Sequence, residues 1–287
     1  SGTKADPYLV ETVEQLQDIK YNLSAHYKLA NTIDLSSVSN FTPIGNLETP
    51  FTGTFTCELN SDKTPKYIIK NLKISVEETK DIGEKLNRWE CALFGAADGA
   101  IFSGIYVFDV KLSNKNFGDN TGAVVYGDYK RGMDEMNTAA LVGQANSCTI
   151  TNCASTGVID SRSSYSGGLI GYAIDSQISY CYSTVKVSSE AIFAIGGLMG
   201  CTRTSIVDKC YSTGNVKGAN RAVASLVGSV YSSTYTNCYT TGNATGSALF
   251  VTNFTGDRES GTSNYENCYA TGNVESQGSN AGGLIGM

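Results

Sequence analysis

Gly167-Gly-Leu-Ile-Gly171, followed by Cys181-Tyr-Ser-Thr184, decides the fold of this chain because both motifs return at a fixed interval. The cysteine recurs every 28 to 30 residues. A period of this length is typical of a solenoid, in which one small structural unit stacks on copies of itself. A single unit cannot bury its apolar residues alone, whereas a stack can. The repeated cysteines are Cys153, Cys181, Cys210, Cys238 and Cys268, and the glycine-containing motif occupies 139–143, 167–171, 196–200, 224–228 and 282–286.

The residue types of each repeat predict strands. Short apolar or β-branched runs alternate with turn residues, and Pro occurs only 4 times in 287 residues. We assign three short strands to each coil of about 28 residues. The first contains Gly-Leu-Ile-Gly, the second an aliphatic residue (Ile150, Ile178 or Ile206), and the third Cys-Tyr-Ser-Thr-Gly-Asn-Val. This is the size of one turn of a parallel β-helix, so the chain is predicted to be all-β, with a parallel β-helix over residues 36–287.

Alternation along the third strand assigns its two faces. Cys181 and Ser183 are small enough for a crowded interior, so Tyr182 and Thr184 should point outward. The stacked thiols are within the distance range of disulfides, but five in a row cannot all pair, and we expect them to be buried and reduced. Asn215, Asn243 and Asn273 follow a glycine at a turn and should form a ladder. The predicted outer columns are Tyr182, Tyr211, Tyr239 and Tyr269, and Thr184, Thr213, Thr241 and Thr271.

Residues 1–35 predict an N-terminal cap that is continuous with the solenoid. Thr12 and Gln15 form a capping-box signature, and an amphipathic helix follows in which Val13, Leu16, Ile19 and Leu23 share one face. Strand patterns precede and follow this helix. The end of a strand stack exposes unpaired backbone groups, and a helix over the first coil would cover them.

Three insertions interrupt the period, at 75–90, 113–138 and 251–264. The first two precede the same motif and should leave the same corner of the coil, while the third falls at a different corner. Insertions in repeat proteins often carry function. We therefore name Trp89, Tyr126 and Tyr129 as candidate ligand-binding residues, with a loop that clamps the core as the alternative.

Composition excludes several classes of function. With 21 Lys plus Arg against 27 Asp plus Glu, the chain lacks the basic clusters that nucleic-acid binding needs. No apolar run approaches the ~18 residues that span a bilayer. The one histidine, His26, cannot supply an H-E-x-x-H site or a zinc cluster, and calcium-binding nonapeptides are missing. We expect no metal and no cofactor.

The same motifs resemble the GLUG-type repeats of bacterial surface proteins. The resemblance rests on Gly282-Gly-Leu-Ile-Gly286, on Asn267-Cys-Tyr-Ala-Thr-Gly-Asn-Val274, and on an opening with Asp6-Pro-Tyr-Leu-Val and Pro50-Phe-Thr-Gly-Thr-Phe55. It covers nearly the whole chain. Such repeats occur in large adhesins and in non-catalytic regions of bacterial immunoglobulin A1 proteases. The resemblance implies a right-handed parallel β-helix that is exported and displayed on a cell surface. Cys57-Glu-Leu-Asn-Ser-Asp-Lys-Thr-Pro65 departs from the usual turn.

Two function classes remain open. A polysaccharide lyase or glycosidase would need paired carboxylates, and Glu90, Asp128, Asp134 and Glu135 are the candidates, although a solvated charged loop explains them more simply. A binding protein could use the tyrosine column, because flat rings beside hydroxyl groups stack on sugars or anchor a protein. The alternative is that the stacked tyrosines only stabilise the coils.

Taken together, these features predict a non-catalytic segment of a bacterial cell-surface protein that acts as adhesin, stalk or spacer. A carbohydrate-binding or carbohydrate-cleaving β-helix is the second hypothesis. The expected location is extracellular, and the expected partner is a glycan or protein on a host or bacterial surface. We expect a monomer. Because the chain ends one residue after a repeat motif, at Met287, we also expect it to be part of a longer protein.

Overall fold

The protein is a parallel β-helix, as its sequence predicts. The structure, a computed structural model, describes residues 1–77, 90–115, 137–190, 193–219 and 221–286, with the backbone alone described for 257–260. The strands of successive coils pair in parallel and form four sheets that run along the helix axis. We number these sheets in the order in which one coil passes through them.

Sheets 1 and 2 contain the two strands of each coil that surround the Gly-Gly-Leu-Ile-Gly motif. Sheet 1 begins at Asn137, whereas sheet 2 already includes a strand from the N-terminal coils. Sheet 1 comprises Asn137–Thr138, Tyr165–Gly167, Ala194–Gly196, Ala222–Ala224, Phe250–Thr252 and Asn280–Gly282. Sheet 2 comprises Phe94–Asp98, Val142–Asn146, Ile170–Ile174, Met199–Arg203, Val227–Tyr231 and Thr255–Ser260.

Sheets 3 and 4 run through the whole described chain. Sheet 3 comprises Tyr8–Val10, His26–Leu29, Thr54–Cys57, Ile101–Ser103, Thr149–Thr151, Gln177–Ser179, Ile206–Asp208, Thr234–Thr236 and Asn264–Glu266. Sheet 4 begins with Ile33–Asp34, Ile69–Lys70, Lys73–Val76, Tyr106–Asn114 and Ala154–Ser161. Later coils split its strand into pairs: Tyr182–Ser183 with Lys186–Ser189, Tyr211–Ser212 with Val216–Gly218, Tyr239–Thr240 with Ala244–Gly246, and Tyr269–Ala270 with Val274–Ser276.

The three predicted strand regions correspond to sheets 2, 3 and 4. The coil differs from the prediction in two ways. Sheet 1 adds a further strand before the Gly-Leu-Ile-Gly motif, and the third predicted strand is split in the later coils, for example between Ser183 and Lys186. Four of the sheet 1 strands end on the first residue of the motif, for example at Gly167 and Gly196, but their preceding residues vary from coil to coil, and this explains why the repeat pattern did not reveal them.

The N-terminal cap has the predicted order of elements. A helix, Val13–Asp18, and a 3₁₀ turn, Ile19–Tyr21, follow the first strand of sheet 3. Thr12 caps the helix: its side chain accepts a hydrogen bond from the backbone N–H of Gln15 at 3.3 Å, and the Gln15 side chain accepts one from Thr12 N–H. Leu16 and Ile19 are fully buried against the first coils, so the helix covers the apolar end of the stack.

One continuous hydrophobic core fills the interior of the helix. Leu93, Leu141, Leu169, Leu198 and Leu226 are all fully buried there. The prediction for sheet 3 needs one correction, because Val207, and not Ile206, pairs in register with Ile178 and faces the core. Ile206 is 54% exposed. The reason is the length of this coil, which has 29 residues and not 28. Counting 28 residues on from Ile178 leads to Ile206, whose side chain lies on the opposite side of the strand from that of Val207.

A second, smaller apolar cluster lies between sheets 1 and 2. It contains Tyr165, Tyr172, Ala194, Cys201, Ala222 and Tyr231. The two sheets approach closely because sheet 2 carries glycine where sheet 1 crosses it. A Cβ atom on Gly200 would lie 2.8 Å from the backbone nitrogen of Ser166, and one on Gly228 would lie 2.6 Å from that of Ile195. These glycines therefore allow sheet 1 to pack against the outer side of sheet 2.

Two corners of each coil repeat a left-handed backbone conformation. Ser147, Asp175, Thr204 and Ser232 have φ values of 44° to 50° between sheets 2 and 3. Asn152, Tyr180, Lys209, Asn237 and Asn267 have φ values of 50° to 54° between sheets 3 and 4. A single residue in this conformation turns the chain sharply, which explains why the strands are short.

The stretch 251–264, predicted as an insertion, largely continues the repeat. Val251 pairs with Val223, and Thr255 pairs with Val227, in regular register. The register shifts between Val230 and Tyr231, and Asn264 then pairs with Thr234. This coil is therefore two residues longer than the preceding one. The two additional residues lie close to the register shift, and the other residues occupy ordinary repeat positions.

Candidate functional site

The tyrosine ladder, defined here as Tyr182, Tyr211, Tyr239 and Tyr269, lies on the outer face of sheet 4. The four residues pair in register through successive coils. Their ring centroids are 4.9, 4.8 and 5.1 Å apart, and the ring planes differ by only 3° to 5°. The outward orientation that alternation predicted is therefore observed, with the first three rings half-buried and Tyr269 52% exposed.

Parallel stacking changes what the ladder can offer to a ligand. Tyr211 and Tyr239 each have a neighbouring ring on both faces, so their edges and hydroxyl groups are what remains accessible. A ligand that stacks on an aromatic side chain needs an open ring face. Burial also raises the pKa of the Tyr182, Tyr211 and Tyr239 hydroxyl groups, so these three rings are uncharged near neutral pH. Binding through hydroxyl groups stays a prediction, and the geometry favours a stabilising role for the inner rings.

Sequence reasoning missed a further ring of the ladder, Tyr106. It pairs with Ala154, which in turn pairs with Tyr182, so one row without a ring separates the two tyrosines. Their rings nevertheless approach to 5.6 Å between centroids, at an interplanar angle of 88°. Two strand spacings amount to about 9.6 Å, which is more than the distance between the ring centroids. The two side chains are therefore tilted towards each other across the small Ala154. The signal was hidden because Ile105 replaces the cysteine that marks the motif in later coils.

The threonine column and the asparagine ladder extend this face. Thr184, Thr213, Thr241 and Thr271 are all exposed, as predicted, and follow the tyrosines along each coil. The Asn215 side-chain oxygen accepts a hydrogen bond from the Asn243 N–H at 3.0 Å. Asn243 accepts one from the Asn273 N–H at 2.9 Å in the same way. The predicted asparagine ladder is thus confirmed, and it fixes the turn between the two strands of sheet 4.

The cysteine row lies on the inner side of the same strands. Cys153, Cys181, Cys210 and Cys238 are fully buried, and all nine cysteines of the chain are free in the structure. Burial raises the pKa of the Cys153 and Cys210 thiols. Because a charged thiolate would be costly in this apolar interior, the row acts as packing. The predicted burial holds for these four cysteines and not for Cys268, which is only half-buried in the last described coil. The reduced state of the thiols stays a prediction.

The first two predicted insertions leave and rejoin the helix at equivalent positions. Val76 pairs with Asn114 where the chain leaves, and Cys91 pairs with Thr138 where it returns. The predicted bounds need a correction, because 75–76, 113–114 and 137–138 pair in regular register and belong to the coils. Glu77 and Lys115, at the two exits, form an ion pair of 3.6 Å. The prediction that both insertions use one corner of the coil is therefore confirmed at their ends. The candidate residues Trp89, Tyr126 and Tyr129 lie outside the described residues, as do Asp128, Asp134 and Glu135.

A groove of about 650 Å³ continues from this corner along the later coils. Side chains of both charges line it, among them Lys115, Arg162, Glu190 and Glu275. Arg162 and Glu190, from adjacent coils, are 3.1 Å apart in an ion pair. Mixed charges of this kind give the groove polar walls without a strong net sign, which suits an extended polar ligand better than a small apolar molecule.

Buried polar groups reinforce the corner from inside. Thr138 Oγ1 and Ser163 Oγ are 2.6 Å apart, and Asn114 Nδ2 donates to Ser163 Oγ at 2.9 Å. Glu90, a candidate catalytic acid, is only 3% exposed and accepts a hydrogen bond from the Asn137 N–H at 2.7 Å. This environment suits a carboxylate that fixes the returning chain. The hydroxyl network comprises Asn114, Thr138, Ser161, Ser163, Ser166 and Ser189.

The remaining residues with functional potential are isolated. His26 is half-buried in sheet 3, and its Nδ1 lies 3.0 Å from Thr54 Oγ1. Over the described part of the chain, no group of three or more His, Cys, Asp or Glu residues is arranged to hold a metal ion. None of the helices in that part is long and apolar enough to cross a membrane.

Comparison with known proteins identifies both the repeat and the fold. Among curated proteins, none matches the sequence. A crystal structure from Bacteroides ovatus, of a suspected immunoglobulin A1 protease, superimposes with a TM-score of 0.72 at 19% identity, over 99% of this chain and 85% of that one. A second structure, named IgA1 protease, has a TM-score of 0.62 at 20% identity over 93% of this chain, which spans 20% of that protein's length. Residues 163–188, which make up about one coil of the β-helix, match the family model described as the GLUG motif.

Proposed function

We propose that this chain is a non-catalytic β-helical segment of a bacterial cell-surface protein, and that it acts there as an adhesive scaffold. The observation that carries the proposal is the unbroken stacking of coils along sheet 3, which has 9 strands in register. At a spacing of about 4.8 Å per strand, this sheet alone forms a rod of roughly 40 Å. Such a rod holds groups on its surface at fixed distances from one another.

Two further features support a scaffold. The chain leaves the rod after Glu77 and after Lys115 at one corner of adjacent coils and returns at equivalent positions. Stacked outer side chains, such as the tyrosine ladder, stiffen each coil against the next through ring contacts of about 5 Å. The GLUG repeat and the fold shared with immunoglobulin A1 protease structures support an extracellular location.

An adhesion assay tests the proposal directly. Beads coated with the folded chain should adhere to epithelial or bacterial cells, and beads coated with the heat-unfolded chain should not. The same preparation should leave immunoglobulin A1 and a panel of polysaccharides uncleaved. Absence of adhesion to every cell type would contradict the adhesive role, and cleavage that persists after repurification would contradict the non-catalytic role.

A further inference from the structure

A column of lysines crosses the outer face of sheet 4, beyond the turn that follows the tyrosine ladder. Lys73 pairs in register with Lys111, Lys111 with Val158, and Val158 with Lys186. All three lysines are exposed. Because adjacent strands are about 4.8 Å apart, the three ammonium groups stand at intervals of one and two strand spacings along the rod. We call these three residues the lysine column.

This arrangement is electrostatically unfavourable within the chain itself. Like charges that lie directly opposite one another on neighbouring strands destabilise a sheet. The chain has a net charge of −6, so acidic residues are not scarce. Two exposed acidic residues lie near the column: Asp109, two residues before Lys111 along its strand, and Asp160, two residues beyond Val158 along its strand. The lysines that form ion pairs among the described residues are different ones: Lys28, Lys66, Lys70, Lys115 and Lys209.

The surface around the lysine column is concave and has room for a chain-like ligand. It forms a shallow depression of about 720 Å³ that runs across several coils. Val158, in the middle of the column, is 47% exposed and offers an apolar contact between the charges. Ser113, Ser188 and Asn215 line the same depression and supply hydrogen-bonding groups. Cationic and small apolar groups therefore follow one another along the axis of the rod, and the hydroxyl groups of Ser113 and Ser188 lie beside them in the neighbouring column.

We propose that the lysine column binds a linear polysaccharide that carries carboxylate or sulfate groups. A repeating anion on every sugar or every second sugar matches lysines that stand one and two strands apart. Sugar hydroxyl groups can pair with the serine and asparagine side chains, and a sugar ring can rest on Val158. A nucleic acid fits less well, because the described lining of this depression has no aromatic side chain on which a base could stack.

The inference extends the proposed adhesive role by naming the chemistry of a partner. It rests on the proposed function in one respect: the polysaccharide is taken to be part of a cell surface. The binding itself is a property of the isolated chain, so it is measured with purified oligosaccharides and without cells.

The test is isothermal titration calorimetry with four probes: a sulfated heparin octasaccharide, an oligogalacturonate, neutral maltooctaose and a single-stranded 12-mer of DNA. We expect binding of one or both anionic sugars, with affinity that falls as salt is raised, and no binding of the neutral sugar. The variant Lys73→Asn/Lys111→Asn/Lys186→Asn should weaken binding at least tenfold. Asparagine already occupies the following positions of this column, at 215, 243 and 273, so the fold should accept it.

A matched control separates the column from total charge. Lys4→Asn/Lys20→Asn/Lys63→Asn removes the same charge from exposed positions elsewhere and should bind within twofold of the unaltered chain. Thermal unfolding of both triple variants checks that they are folded. The inference is overturned if neither anionic sugar binds, if both triple variants weaken binding equally, or if DNA alone binds. Adhesion of coated beads without binding of either anionic sugar would reject the inference and leave the proposed function intact.

Discussion

The N-terminal coils and the repeat coils use aromatic rings in opposite ways. In the N-terminal coils, Phe51, Phe94 and Phe102 are fully buried and meet at centroid distances of 4.9 to 5.7 Å, with ring planes tilted by 43° to 68°. In the repeat coils, the tyrosine ladder lies outside and its ring planes differ by 3° to 5°. The interior beneath it holds mainly cysteines and aliphatic residues, and buried rings appear there only towards the C-terminal end of the described chain, at Tyr235 and Phe254.

The difference shows how register contributes to ring geometry. In the tyrosine ladder, rings at the same position of successive coils form parallel stacks at the strand spacing, whereas Phe94 and Phe102, which come from different sheets, meet at an angle. Register alone does not impose the parallel stack, because Tyr8 and Tyr27 also pair in register and their rings are tilted by 38°. A parallel stack suits an outer surface that must repeat. Tilted rings suit a core that must fill an irregular volume, as in the coils beneath the cap.

The largest loss of stability should come from changes to the buried phenylalanines of the N-terminal coils, whose rings are tilted against one another. Phe94→Ala removes a fully buried ring with three ring partners, and we expect it to lower the free energy of unfolding by about 3–5 kcal/mol. Cys181→Ala, in the interior of the repeat coils, should cost about 1 kcal/mol because little volume is lost. Urea unfolding followed by circular dichroism measures both. Equal losses would show that the two interiors are packed alike.

Close contact between coils should give the next largest effect. A Cβ atom on Gly214 would lie 1.9 Å from the carbonyl oxygen of Val185 in the preceding coil, so Gly214→Ala should cost about 1–3 kcal/mol. Gly283 has no atom within 4 Å of such a Cβ, and Gly283→Ala should be nearly neutral. Thermal unfolding of both variants measures the difference. If Gly214→Ala is as stable as Gly283→Ala, the spacing of the coils is looser than described.

The tyrosine ladder should give an effect of similar size for its inner rings and a smaller effect at its end. Tyr211 stacks on two rings and Tyr269 on one, so Tyr211→Ser should cost about 1–3 kcal/mol and Tyr269→Ser about half as much. A double-mutant cycle of Tyr211 and Tyr239 isolates the stacking energy. A coupling energy near zero would indicate that the rings are aligned by the strands alone and do not stabilise one another.

The smallest effect concerns pH. Burial raises the pKa of Tyr182, Tyr211 and Tyr239, so the folded state favours their neutral forms. Their contribution to stability is therefore complete below the unfolded pKa of about 10 and is lost as pH rises through the higher folded values. Absorbance titration at the phenolate band should show ionisation later than in a model peptide, and the free energy of unfolding should fall above this pH. The triple Tyr→Phe variant should show a smaller decline, because burial also raises the pKa of other groups such as Tyr106 and Cys210. A decline identical to that of the unaltered chain would assign the whole effect to those other groups.

The sequence predicted what repeats and missed what varies. The coil period, the Thr12 cap and the outward tyrosines followed from spacing and alternation, because each is encoded by a recurring or local motif. The strands of sheet 1 and the placement of Val207 were not predicted, since they depend on packing between sheets and on a coil that is longer by one residue. The lysine column could not be predicted from the sequence either. Lys73, Lys111 and Lys186 share no motif, and only the three-dimensional register brings them into line.

The pairing of each coil with the next also determines how the rod would respond to force. Hydrogen bonds between coils run along the axis, so a pull on the two ends loads the terminal coil first and releases its bonds in sequence. Each released coil of about 28 residues would lengthen the chain by roughly 90 Å, against a folded rise of about 4.8 Å. A tether built in this way would yield stepwise and absorb work at each step, with the remaining coils still folded.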